Sequence, residues 1–157
     1  MRVKAANRTT TRRDQPARAN TDNVGFLLAK ASARWNAALA HGFADRGFPE
    51  VRPAYGSILL PLFEEDGLRI GQLGQRARLS KQTMTTLIAQ MERDGLVRRE
   101  RDPADARARR VVLTERARRF QSVAEGVLAD LEARVAEHLS PSATAALSRS
   151  LKRLMDF

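Results

Sequence analysis

The chain has 157 residues, 43 % of them hydrophobic and 29 % charged, with 28 Lys and Arg against 18 Asp and Glu for a formal net charge of +10. That length suits one domain with a real core; no apolar run nears the roughly 20 residues a membrane-spanning helix needs, and no apolar stretch follows the first twenty residues as a secretory signal would require, so the expected compartment is the cytoplasm. Zero Cys and two His leave no disulfide frame, no thiol switch and little for zinc, so neither metal nor other cofactor is expected.

Residues 1–20 carry one large aliphatic residue, Val3, and read as a flexible basic arm that cannot offset its ordering entropy. Val24, Leu28, Ala31, Trp35 and Leu39 then recur at spacings of three and four, which predicts a first helix over residues 22–45. Gly47 and Pro49 break it. Arg52-Pro53 opens a second helix carrying Ile58, Leu59, Leu62 and Phe63 until Asp66-Gly67, and Pro61 within it should kink or shorten it. Leu68 and Ile70 suit only a very small strand. A two-turn helix over residues 71–78 follows, with Leu73 and Ala77 inward, and after a tight turn Ser80 is a good N-cap for the next helix. There Met84, Leu87, Ile88 and Met91 stand at i, i+3, i+4 and i+7, the cleanest amphipathic signal in the chain, ending at Asp94-Gly95.

Residues 96–101 and 110–113 are short strand candidates joined by a basic loop. Thr114 caps a helix of about 25 residues bearing Phe120, Ala124, Val127, Leu131 and Val135, and Ser140-Pro141 opens a last one presenting Leu147, Leu151, Leu154 and Met155. The fold class is mainly α with a small β-hairpin.

The charge is uneven along this order: +5 over residues 1–20, −2 over 21–68, +8 over 69–119 and −1 over 120–157. A basic block on a near-neutral domain is the footprint of a polyanion binder, or of an ordinary solvated surface. In the block, a short helix, a turn and a capped helix make a helix-turn-helix, and the hairpin makes a wing. Gln82, Thr86, Ala89 and Arg93 oppose the apolar face, with Lys81, Thr83 and Thr85 flanking. Such a small, polar face fits a DNA major groove about 12 Å wide; a plain solvated helix face is the alternative.

Two stretches resemble the MarR winged-helix regulators: Leu79-Ser80-Lys81-Gln82-Thr83-Met84-Thr85 leading to Met91-Glu92-Arg93-Asp94-Gly95-Leu96-Val97-Arg98-Arg99, and Asp102-Pro103-Ala104-Asp105-Ala106-Arg107 leading to Val111-Val112-Leu113-Thr114-Glu115. The resemblance covers the chain from about residue 22 onward. It implies a homodimer held by its first and last helices, with Ser80, Lys81, Gln82, Thr83 and Thr85 at the start of the recognition helix and Arg107 at the wing tip in a minor groove. Thr86, Arg93 and Arg109 complete the expected DNA-binding set. Family members often carry Arg where Thr86 stands, an acidic residue at Ala89 and Gly at Ala117. Many release DNA on binding a small aromatic compound, which would point to Trp35, Tyr55 and Phe63 here; aromatic residues at helical spacing also serve as core.

The expected organisation is a basic arm over 1–20 and one domain over 21–157, with the winged helix at 53–113 and dimerisation helices at 21–48 and 114–157. The expected function is a sequence-specific double-stranded DNA-binding transcription regulator, a repressor on an inverted repeat, with a sequence-tolerant architectural DNA-binding protein as the rival. His41 and His138 lack motif neighbours, Glu64-Glu65-Asp66 reads as a solvated helix end, and Gly67, Gly71 and Gly74 form no phosphate loop. No catalytic set can be assembled, so an enzyme is not expected.

Overall fold

A computed structural model describes residues 21–105 and 107–156, and the arm expected over residues 1–20 lies outside them. Helix α1 (Val24–Asp45) starts at Asn23, whose side-chain oxygen accepts from the Phe26 N–H at 2.9 Å, supplying a partner for one of the amides a helix start leaves free. Arg52-Pro53 opens a single 3-10 turn, Pro53–Tyr55, before α2 (Gly56–Glu64) begins. Pro61 lies inside α2 without ending it, because Ile58, Leu59 and Leu62 are all buried and hold the helix to the core.

Strand β1 (Leu68–Arg69) is followed by α3 (Ile70–Ala77), α4 (Lys81–Arg93), β2 (Val97–Arg101), β3 (Arg109–Leu113), α5 (Glu115–His138) and α6 (Pro141–Leu154). Two sequence expectations are corrected. Ile70 starts α3 rather than extending a strand, since the N-cap geometry falls on Arg69. The wing is more than a hairpin: β1 adds to it, giving an antiparallel sheet in the order β1-β3-β2, with Leu68 opposite Val111 and Arg69 opposite Arg110. Pairing of β2 with β3 runs from Val97 opposite Leu113 to Arg101 opposite Arg109.

The turn between α3 and α4 has a backbone feature of its own. Arg78 is left-handed, at φ 51° and ψ 39°, the lone non-glycine residue with positive φ among the described residues. The Leu79 N–H returns to the Gly74 carbonyl at 3.2 Å, closing the helix end in the manner that glycine normally serves. A side chain at such a position costs about 1 kcal/mol or more relative to glycine.

The core lies where α2, α3 and α4 meet the sheet and the start of α5. Tyr55, Ile58, Leu59, Leu73, Met84, Ile88, Met91, Leu96 and Val111 are fully enclosed. Phe120 of α5 meets Phe43 edge-on at 4.8 Å and Phe48 at 5.3 Å, which ties the second half of α1 to this core. Close approach of α1 and α5 depends on Gly42, where an added Cβ would stand 2.7 Å from one Val127 methyl and 3.2 Å from the other. Burial then stops partway along α1. Of its apolar series Leu39 is buried and Trp35 half-buried, but Val24, Leu28 and Ala31 are exposed. Helix α6 buries no residue at all within the chain, and Leu147, Leu151, Leu154 and Met155 lie open.

Candidate nucleic-acid interface

Helix α4 is pinned from below and left open above. Met84, Ile88 and Met91 sink into the core, while Lys81, Gln82, Thr83, Thr85 and Thr86 are exposed. Ser80 caps the helix as its sequence suggests: its Oγ accepts from the Thr83 N–H at 3.2 Å and lies 2.9 Å from the Thr83 Oγ1. Thr85 donates its hydroxyl to the Lys81 carbonyl at 2.8 Å, and its side chain remains exposed. The first turn of α4 therefore offers free amides, one ammonium and short polar side chains, the inventory that enters a major groove. Arg93 is exposed but stands eleven residues beyond Gln82, about 17 Å along the helix axis, so it does not share that turn.

The far end of α4 is held by two struts. Tyr55 donates its hydroxyl to the Asp94 carboxylate at 2.6 Å. Burial and then Asp94 push the phenol up from its ordinary 10 to about 12. Glu92 grips Arg99 of β2 three times: it accepts from the Arg99 backbone N–H and Nε at 3.0 Å each and from Nη2 at 2.5 Å. The orientation of α4 is thus fixed against both the Pro53–Tyr55 turn and the sheet.

The wing is braced at its base. Asp102 is the one buried charged residue among those described. Its carboxylate accepts from Arg69 Nε at 2.7 Å and from the Ala104 N–H at 2.8 Å, and these partners hold it below the ordinary aspartate range. Beyond it the Arg107 N–H donates to Asp105 at 3.0 Å, leaving the Arg107 side chain exposed at the tip. Asp66 performs a similar task at the junction with α5, accepting from Gly67 and Leu113 N–H groups and from Arg118 Nη2 at 2.5 Å. Asp66, expected as part of a solvated run, is corrected to a structural acceptor.

These bonds sort the basic block into two sets. Arg69, Arg76, Arg98, Arg99, Arg116 and Arg118 are each paired with a carboxylate. Lys81, Arg93, Arg101, Arg107 and Arg109 are exposed and have no acidic partner among the described residues, and the same holds for Arg78 in the turn before α4 and for Arg119 on α5, while Arg110 is half-buried and likewise unpaired. Arg101 carries no mark in the sequence; only the register that puts it directly across from Arg109 gives it away. Like charges facing each other across a pair of strands repel, and an anion between them removes the repulsion.

The aromatic candidates separate. Tyr55 is fully enclosed and its hydroxyl is committed to Asp94, which makes it a strut of the core. Trp35 is half-buried against the core near the middle of α1. Phe63 alone borders a shallow cavity of about 180 Å³ between α2 and α5, together with Leu60, Glu64, Gln121, Glu125 and Leu128. His41 pairs with Asp45 at 3.2 Å on an exposed face, and no helix of the described residues is long and apolar enough to cross a membrane.

This arrangement, a helix-turn-helix followed by a β2–β3 hairpin that pairs with the preceding β1, and flanked by long helices, defines a winged-helix protein. Residues 53–108 match the model of the MarR family. The HTH-type transcriptional regulator TtmR of Methylorubrum extorquens is 41 % identical over 111 residues, covering 69 % of this chain and 53 % of that protein. The chain therefore spans about half the length of this curated relative. Among solved structures, a probable transcriptional regulator from Pseudomonas aeruginosa has a TM-score of 0.73 and 26 % identity, covering 85 % of this chain and 97 % of that one. The transcriptional repressor CouR, solved on a 23-mer DNA duplex, shares the fold with a TM-score of 0.73 and 24 % identity over 86 % of this chain and 94 % of its own. The chain thus carries a MarR-type winged-helix module over residues 53–108.

Proposed function

We propose that the chain is a sequence-specific double-stranded DNA-binding transcription regulator, working as a homodimeric repressor on an inverted repeat. The observation that carries this reading is the sorting of cations. Within the basic block, most arginines away from the first turn of α4 and the wing tip are used up in ion pairs, while the cations at the two places that would meet DNA are left without acidic partners. In this reading Ser80, Lys81, Gln82, Thr83, Thr85 and Thr86 enter the major groove, and Arg107 and Arg109 meet a neighbouring minor groove and its phosphates. The exposed apolar residues of α1 and α6 are covered by a second copy. Two-fold symmetry then spaces the half-sites about one helical turn apart.

A regulator of this kind can be released by a small molecule that binds the DNA-incompetent arrangement better. The cavity beside Phe63 is small enough for a single ring, and an aromatic effector would sit there. Selection from random duplexes followed by anisotropy on the winner and on its scrambled version tests the main reading. A preference of roughly 10³-fold supports a regulator, whereas a ratio near one would replace it with a sequence-tolerant architectural protein.

A further inference from the structure

Resting on the DNA-binding reading above, we infer that Arg78 is a DNA-phosphate contact, kept at a left-handed turn because its charge is used there. Three observations converge on it. Its backbone occupies the region that favours glycine, and no other described non-glycine residue does so. The hydrogen bonds that close the turn come from backbone groups alone: the Arg78 N–H to Gln75 and the Leu79 N–H to Gly74. Glycine at this position would make them equally well. The side chain is exposed, and its guanidinium has neither hydrogen bond nor ion pair among the described residues. Nearby Arg76 shows the contrast, since it is tied to Glu65.

A conformational cost with no compensating contact inside the molecule points to a contact outside it. The location supplies the class of partner. Arg78 lies two residues before Ser80, which caps the helix whose first turn holds Lys81 and Gln82. A helix that enters the major groove end-on brings the turn in front of it to the sugar-phosphate backbone lining that groove. Contacts there fix the seating of the helix without reading bases. Arginine suits the task because its planar fork takes two phosphate oxygens at once.

The experiment is Arg78→Gly on the full chain, with Arg78→Asn as a second neutral variant that tolerates the same backbone and Arg78→Lys as the charge-keeping control. The expected result has two halves. Thermal melting of Arg78→Gly is no lower than wild type, since the turn is freed of its conformational cost. Its affinity for the selected duplex and for the scrambled one falls by the same factor, about three- to tenfold at 0.15 M salt, and the slope of log K on log salt flattens by about 0.9 for each phosphate that is no longer neutralised. Asn behaves as Gly does, and Lys keeps the wild-type slope. Wild-type affinity and slope in Arg78→Gly would overturn the inference while leaving the DNA-binding reading intact. A wild-type chain that binds no duplex would overturn both.

Discussion

Replacing Tyr55 by Phe removes one oxygen from a fully enclosed ring and nothing else, so no cavity opens and the change isolates the bond to Asp94. Asp94 is half-exposed and recovers water when the phenol is gone. The loss at neutral pH is therefore that of a hydrogen bond to a charged acceptor without an orphaned partner, about 1–2 kcal/mol. The pH dependence carries more information. In the folded chain the phenol titrates at about 12, against 10 when unfolded, so the folded state holds its proton more tightly. The contribution of Tyr55 is thus fully present below pH 10 and is lost as pH rises toward 12. Each pH unit in that window removes about 1.4 kcal/mol, so the wild-type advantage over Tyr55→Phe should vanish at about pH 11. Urea unfolding of both chains, followed by circular dichroism at several pH values from about 7 to 11, reads the difference directly, with other titrating groups cancelling between them. A gap that stays constant across that range, or no gap at neutral pH, would refute the assignment of Tyr55 as the strut beneath α4.

Two further substitutions probe the frame. Gly42→Ala should destabilise the chain by about 1–3 kcal/mol despite the better helix propensity of Ala, because Val127 is stiff at χ1 and both its methyls crowd the added carbon; Val127→Ala in the same chain should recover part of the loss, measured as a shift in melting temperature. Leu151→Glu places a charge on the open face of α6 where the chain itself buries nothing. Sedimentation should then show monomers at micromolar concentration, with the helical circular dichroism retained.

How far the sequence could be read depends on the range of each interaction. Helix α4 was legible because its signals are local: Ser80 caps it, four apolar residues keep helical spacing and Gly95 at φ 71° stops it. The strand β1 was not, since two residues carry no period and the partner of Leu68, Val111, lies 43 positions further along. Spacing also cannot say where coverage ends. Val24 and Leu39 belong to one apolar series on α1, yet only the latter meets α5 and the core. The exposed polar residues from Lys81 to Thr86 could be proposed from the helical wheel. Asp66, Asp102 and Arg101 could not be told from their charged neighbours, because what distinguishes them is burial, backbone amides from distant segments, or a cross-strand register.

If α4 and the wing read DNA by different physics, their variants must fail in different ways. Gln82→Ala and Arg107→Ala are measured by fluorescence anisotropy against the selected duplex and its scrambled counterpart at two salt concentrations. Gln82→Ala should cost about 1–3 kcal/mol on the selected duplex and little on the scrambled one, relaxing preference at one or two positions per half-site. Arg107→Ala should weaken binding to both, flatten the salt dependence and leave the core preference intact. Wild-type binding by both variants would contradict the assignment of this face to DNA.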